Sequence, residues 1–389
     1  MNEILGANVS YYVTQKSIKD HPCKKEEEDM VGGTITSDPS VFQKSDLVLA
    51  IGQHISSSVK QLLKRFNIPM IIIRLGNDFC YDINRFLNDN PIQGPYEKKK
   101  GVIASVLQGQ EYTETWISPH FAYARAYYDF ISKKPLDSTP VVPYFWSPMF
   151  FERLLEKTGP LLPCTKGDVR VAVFESNQTL QKSVFYPMII CHYAEPYIRR
   201  ALFMCCGRLK NKHSRHFPSF YRFCTLADGQ KKGKYSFEGR IPTLKVMQSH
   251  ANVILSWHRD WGLNFLPLEA LFANIPIIHN SEEMKEFGFY YHENDVANAV
   301  KHIKHLHEHG FDAVAYKKRN AAALVKFGIQ QPKLRTFVIH RVRQLIQDKL
   351  VVKTGGDLQT EIRVCNRSQK SQTPQLNGNT LEDNSSMFM

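Results

Sequence analysis

Two short, strongly apolar runs, Val253 to Trp257 and Ile275 to His279, bracket the segment VILSWHRDWGLNFLPLEALFANIPIIHNS, and their spacing narrows the fold more than any other feature of the chain. Each run reads as a buried strand. The residues between them read as a charged, Gly-bearing loop (His258 to Asn264) and a helix opening at Pro267 with Glu269 in its first turn. Two buried strands joined through a helix form a βαβ unit, which requires a parallel sheet. Polar groups at the carboxyl ends of such strands border the ligand crevice, so Glu269 is placed to take hydroxyl groups of a bound ligand.

The same alternation recurs elsewhere. Leu47 to Ile51, the amphipathic Ser57 to Phe66 and Met70 to Ile73 predict another βαβ unit, followed by a helix at Cys80 to Asn88 and a strand near Thr115 to Ile117. Pro140 to Tyr144 reads as a short strand running into Trp146-Ser147-Pro148 and a helix at Phe150 to Thr158. Strands are further expected at Val169 to Phe174 and Ala201 to Met204. Helices are expected at Gln181 to Tyr193, Leu244 to Ser249, Val296 to His309, Phe311 to Phe327 and Lys333 to Lys349. The fold class is therefore α/β, with two Rossmann-like domains. The expected division is 1–145, with an irregular start, 146–330, a helix over 331–353 that packs back, and a disordered, Ser- and Asn-rich tail over 354–389.

Composition restricts the function classes. The 389 residues are 43% hydrophobic and 12% aromatic, a globular composition, with no stretch of about 18 apolar residues and no signal-peptide plan at the start. A cytoplasmic protein without an integral membrane segment is expected. The eight cysteines are scattered, with neither a C-x-x-C pair nor a zinc spacing, which suits reduced thiols. The net charge is +13, and 47 of the 50 basic residues against 33 of the 37 acidic ones precede Thr354, so the excess belongs to the folded part. Arg199, Arg200, Arg208, Lys210, Lys212 and Arg215 supply much of it without one intervening acid. They form either a solvated face or a seat for an anionic ligand.

The pattern Gly262-Leu263-Asn264, Pro267-Leu268-Glu269-Ala270-Leu271 and Asn274-Ile275-Pro276-Ile277-Ile278 resembles the donor-binding signature of two-domain, GT-B type glycosyltransferases. In retaining, glycogen-synthase-like members that signature carries two glutamates eight positions apart, one at the donor sugar and one at the ribose. Glu269 matches the second. The first falls on Trp261, a departure from the pattern, with Asp260 as the nearest acid. Over residues 46 to 330 the chain is also similar to an uncharacterised, mainly bacterial GT-B-like family of unknown function. The matching segments are Gly76-Asn77-Asp78, Val142 to Pro148, Phe174 to Asn177, Phe237 to Arg240, Gly262 to Asn264 and His279 to Ser281.

The resemblance implies a nucleotide diphosphate sugar as donor substrate and two Rossmann-like domains facing a cleft. On the donor side it implies Glu269 at the ribose and Lys182 at the diphosphate, although Lys182 also fits an ordinary surface position. A lysine and backbone N–H groups at a helix start suit a diphosphate. Arg240, after another strand, offers a fork for a diphosphate oxygen or a salt bridge. Gly262, Asn264 and His258 complete the donor side. Asp260 and Asp78 are the candidate catalytic acids. Gly76, Asn77, His120 and Trp146 are assigned to the acceptor side. No metal and no cofactor are expected, since no DxD pair stands at a strand end and neither GxGxxG nor GxxxxGK[ST] occurs.

The leading expectation is thus a glycosyltransferase, retaining by resemblance, acting on a glycan, protein or lipid acceptor. A non-catalytic nucleotide or sugar binder is the alternative, favoured by the absent first glutamate. A nucleic-acid-binding role for the Arg199 to Arg215 run is weaker, because aromatics are not interleaved with the basic residues.

Overall fold

A computed structural model of the chain describes residues 6–13, 28–29, 32–52, 55–88, 111–177, 180–206, 216–224, 226–260 and 262–354. The expected tail beyond 354, the loop over 91–100, Trp261 and the basic residues Arg208, Lys210, Lys212 and Arg215 lie outside the described residues. The chain divides into two compact units, one drawn from 1–49, 55–71 and 338–389, the other from 50–54 and 72–337.

In chain order the strands are β1 Ser10–Tyr12, β2 Thr34–Thr36, β3 Val48–Ile51, β4 Met70–Arg74, β5 Glu114–Ile117, β6 Arg170–Val173, β7 Arg200–Phe203, β8 Tyr235–Phe237, β9 Val253–Leu255, β10 Ile277–His279 and β11 Phe289–Tyr290. The helices are α1 Ser57–Arg65, α2 Asp78–Asn88, α3 Arg125–Ile131, α4 Met149–Lys157, α5 Phe185–Tyr193, α6 His216–Phe223, α7 Leu226–Lys231, α8 Thr243–Ser249, α9 Phe265–Phe272, α10 Val296–His309, α11 Ala313–Lys326 and α12 Pro332–Thr354.

In the smaller unit β1 and β2 pair in parallel, and the Tyr12 ring lies 4.7 Å from Phe42. A second sheet has the order β3-β4-β5. Its β3 and β4 run parallel, since the N–H groups of Val48 and Gly52 donate to the carbonyls of Pro69 and Ile73, advancing by the same step on each strand. The third sheet has six strands in the order β11-β10-β9-β6-β7-β8, all parallel. Counted from β6, the order is 3-2-1-4-5-6, the doubly wound arrangement, and the winding reverses between β6 and β9.

Period-two packing explains why these strands are apolar throughout. Val171, Val173, Val253, Leu255 and Phe203 bury one face under Met188 and Cys191 of α5 and Ala299, Ile303 and Leu306 of α10. The alternate residues Ala172, Leu202, Ile254 and Ile277 bury the other under Val246 and Met247 of α8, Leu268 and Leu271 of α9 and Tyr316 of α11. Val253, Ile254 and Leu255 are each fully buried, which contributes about 1.5–3 kcal/mol per side chain. With no polar face to spare, the sheet has to be covered on both sides.

Several boundaries differ from the sequence expectation, each for a local reason. Strand β9 ends at Leu255, because the Trp257 N–H donates to the Glu175 carboxylate instead of continuing the ladder. Ile275 closes the end of α9 through its N–H to the Ala270 carbonyl, so β10 starts at Ile277. Helix α9 opens two residues before Pro267, with Asn264 as N-cap accepting from the Leu266 N–H at 2.9 Å. Only a bridge between Ile117 and Val141 stands where a strand over 140–144 was expected. Residue 145 lies between the last strand of the three-stranded sheet and the first of the six-stranded one. No helix among the described residues is long and apolar enough to cross a membrane.

Candidate ligand site at the switch point

Doubly wound sheets bind ligands beyond the carboxyl ends of the strands where the winding reverses, here β6 and β9, and the two loops that leave those strands bind to each other there. Glu175, 3% exposed, accepts hydrogen bonds from Ser256 Oγ (2.8 Å) and Trp257 N (3.1 Å), so a carboxylate after β6 ties down the chain after β9. Burial pushes the Glu175 carboxyl up, and the neighbouring Lys182 holds it down. Burial likewise lowers the Lys182 ammonium, and Glu175 opposes that shift. Each charge eases the charging of the other, and the hydrogen bonds from Ser256 and Trp257 favour the Glu175 carboxylate further.

Asn177 shapes this loop. It sits in the left-handed region at φ 55°, which asparagine tolerates better than most residues. Its N–H donates to the Lys182 carbonyl (3.0 Å), its Nδ2 to the Glu175 carbonyl (3.0 Å), and its Oδ1 accepts from Val184 N (2.8 Å). Lys182 and Val184 are therefore tied back to Asn177 before the helix starts. Helix α5 begins at Phe185 rather than at Gln181, and Lys182 belongs to the turn that precedes it.

On the β9 side the His258 backbone is clamped by Asn280, whose Oδ1 accepts from His258 N (2.9 Å) and whose Nδ2 donates to His258 O (2.8 Å). The Trp257 ring stacks on Tyr186 at 4.9 Å and donates through Nε1 to Asn294 Oδ1 at 2.9 Å. The His258 imidazole is 5% exposed, with Nε2 3.4 Å from Ser256 Oγ and no partner for Nδ1. Burial holds it well below the usual histidine range, helped by the charges of Lys182, His279 and His120. His120, from the 3-10 helix Pro119–Ala124, is 7% exposed and has no partner at either ring nitrogen. Burial, then Lys182, lowers it to about 3. Both rings are neutral at physiological pH.

Helix α2 reaches the same loops. Asn77, fully buried, donates through Nδ2 to the Asp260 carbonyl (2.7 Å) and Tyr123 Oη (2.7 Å), and its Oδ1 accepts from Cys80 N (3.1 Å). Asn84 Nδ2 donates to Gln181 Oε1 (3.1 Å), and Arg259 N donates to the Gln181 carbonyl (3.0 Å). Asp260 itself is left-handed (φ 54°) and exposed, with Oδ2 3.9 Å from Arg259 Nε.

Glu269 is the fifth residue of α9 and is partly buried, and burial alone raises its carboxyl to about 7. The Tyr144 phenol senses its charge. Arg240 is exposed beyond β8, and the Cys205 thiol feels both it and Glu175, which puts Arg240 at the same sheet edge. Gly262 lies under Glu283, since a Cβ there would meet Oε2 at 1.7 Å, and its carbonyl accepts from Ser281 Oγ at 2.6 Å. Asp78 is engaged by Arg74 Nη1 at 3.3 Å. Gly76 precedes it, its carbonyl accepting from Asp78 N at 3.2 Å. Trp146 is a core residue packed edge-on against Phe272 at 5.8 Å. Of the basic run, Arg199 pairs with Asp168 at 3.3 Å.

Lys182, His258, His120 and Glu269 are thus held at or near one edge, whereas the Asp78 and Trp146 side chains are engaged elsewhere. Glu175, Tyr144 and Asn280 are central residues that sequence reasoning did not assign to the site. Glu175 carried a readable signal, an acid directly beyond an apolar strand. Among the described residues no group of three or more His, Cys, Asp or Glu side chains is arranged to hold a metal ion.

Strand order defines the class: a doubly wound α/β protein with a buried acid-base cluster at its switch point. The chain belongs to a family described as "Protein of unknown function (DUF2827)", whose profile matches residues 10–339. No curated protein matches the sequence. Among solved structures, the chain is similar to sucrose-phosphate synthase from Thermosynechococcus elongatus, at 13% identity and TM-score 0.47, with 87% of this chain and 81% of that one covered. A glycosyltransferase from Rickettsia africae is similar at 11% identity and TM-score 0.38, over 78% of this chain and 98% of that one. The pneumococcal O-GlcNAc transferase GtfA, solved with UDP and GlcNAc, is similar at 11% identity and TM-score 0.34, over 75% and 60%. At TM-scores below 0.5 these likenesses carry no weight for the reaction.

Proposed function

We propose that the protein is a GT-B-like glycosyltransferase that binds a nucleotide diphosphate sugar at the β6/β9 switch point. The observation that carries this reading is the clustering of Lys182, His258 and His120, from three separate segments, at the carboxyl edge of a 3-2-1-4-5-6 sheet. Fold alone does not assign a reaction, and the site chemistry has to supply it. A diphosphate beside Lys182 adds a second anion to the ammonium that already faces Glu175, and Arg240 adds a second cation at the rim. Glu269 accepts from a ribose hydroxyl. During transfer the bond between the anomeric carbon and the diphosphate oxygen breaks, a bond to the acceptor oxygen forms, and the acceptor proton passes to the departing diphosphate oxygen. Asp260, the one acid of the His258 to Asn264 loop, offers an exposed carboxylate for the sugar side. Retention of configuration, an acceptor held by the 76–120 segments, and the absence of metal and cofactor belong to the same proposal.

The test is incubation with a panel of nucleotide sugars, with and without a mixed glycan acceptor, reading released nucleoside diphosphate. Acceptor-dependent release supports transfer. A thermal shift with nucleoside diphosphates but no release under any condition supports the second reading, a non-catalytic binder. Trp261 at the position of the signature's first glutamate favours that reading. No shift with any nucleotide ends both.

A further inference from the structure

The segment 140–148 joins the two larger sheets, and its backbone is pinned on both sides of Tyr144. Val142 N donates to the Ile117 carbonyl (2.8 Å), Trp146 N to the Phe327 carbonyl (2.8 Å), and Gln331 Nε2 to the Tyr144 carbonyl itself (2.6 Å). The Tyr144 ring is 8% exposed and packs edge-on to His120 (5.9 Å) and Phe327 (6.1 Å), with Phe265 at 6.4 Å. Phenylalanine would make every one of those ring contacts. The hydroxyl has no hydrogen-bond partner, an arrangement that destabilises a folded protein.

His120 shares that state, leaving both ring nitrogens without partners, and the partly buried Glu269 carboxyl, whose charge Tyr144 senses, is shifted by burial alone. The three side chains come from three different segments, and none satisfies another. Their chemistry selects the ligand: a phenol and a neutral imidazole each donate and accept, and a carboxyl group accepts or, when protonated, donates. Neighbouring ring hydroxyls, which also donate and accept, satisfy such a set. A phosphate does not, because Glu269 repels it.

We propose that Tyr144, with His120 and Glu269, forms a polyol subsite in which the Tyr144 hydroxyl selects ligands by a sugar hydroxyl, an assignment that rests on the nucleotide-sugar reading above.

The test is Tyr144→Phe in the full chain. In the free protein the variant is expected to be as stable as the wild type or more so in urea denaturation. A clear loss of stability would mean that the hydroxyl has a structural partner, and would overturn the proposal. With a nucleotide diphosphate sugar the variant is expected to bind about tenfold more weakly, while inorganic pyrophosphate binds both proteins alike. If the loss vanishes with a 2′,3′-dideoxynucleoside diphosphate but appears with the ribose form, the hydroxyl belongs to the ribose. If it appears only when the sugar is attached, it belongs to the transferred sugar. Either pattern supports the subsite, and equal affinities across the panel refute it. Should no nucleotide shift the wild type, the transferase reading falls separately. Free ribose, glucose and N-acetylglucosamine then decide the subsite: weaker binding to Tyr144→Phe supports it, and no binding by the wild type removes it.

Discussion

Glu175 and Lys182 share one buried patch beyond β6, and each lowers the cost of charging the other. Replacing Lys182 with Met strands the carboxylate and should destabilise the protein by roughly 2–4 kcal/mol, less than for a wholly dry pair because Lys182 keeps some exposure. Adding Glu175→Gln should recover most of that loss in urea denaturation without recovering nucleotide binding. Recovery of both would show the pair to be structural only. Glu269 obeys a different rule. Its folded value of about 7 lies above the ordinary 4.5, so its contribution to stability is fully present below pH 4.5 and is lost as pH rises through 7. Glu269→Gln should therefore be more stable than the wild type at pH 8, by up to about 3 kcal/mol, with the gap closing by pH 5. A gap independent of pH would contradict the burial of that carboxyl.

Among the elements, the turns at the carboxyl edge of the six-stranded sheet hold the site in shape, and their glycines differ in what they tolerate. Gly288, between β10 and β11, has φ 62°, and a Cβ there would stand 2.9 Å from His279 Nε2 and 3.1 Å from the Ile277 carbonyl. Gly288→Ala should cost about 2 kcal/mol, since neither the buried ring nor the backbone has room to move. Gly262→Ala meets only the end of the Glu283 side chain and should cost less than about 1 kcal/mol. Denaturation midpoints that reverse this order would refute the account. The helix starts show the limit of local reading. Asn264 before α9 and Asp295 before α10 are N-caps readable from residue type. The start of α5 was not readable, because Asn177, seven residues upstream, supplies the cap to Val184 and delays the helix past Lys182.

For the whole molecule, acid is the condition that tests the buried histidines together. His120, lowered to about 3, and His279, lowered to about 4, stabilise the fold above their ordinary 6.5, and that contribution is lost as pH falls through the folded values. Glu269 opposes the trend between pH 7 and 4.5, so stability should fall most steeply below pH 4.5. Urea midpoints followed by circular dichroism from pH 7 to 3 check this, and His120→Asn should flatten the curve. The alternation of strand and helix was legible because it is local: a strand buried on both faces, such as Val253 to Leu255, and an amphipathic helix, such as Val296 to His309, each carry their period within a few residues. From that alone the sequence determined a parallel α/β fold and the position of Glu269 beyond a strand. It did not determine strand order, nor that Glu175 would bind Ser256 and Trp257, nor that His120 and Tyr144 would meet near Glu269. Those contacts join residues up to more than a hundred positions apart. Their existence depends on how the sheet winds and which side chains its covering helices trap, so only the tertiary structure decided them.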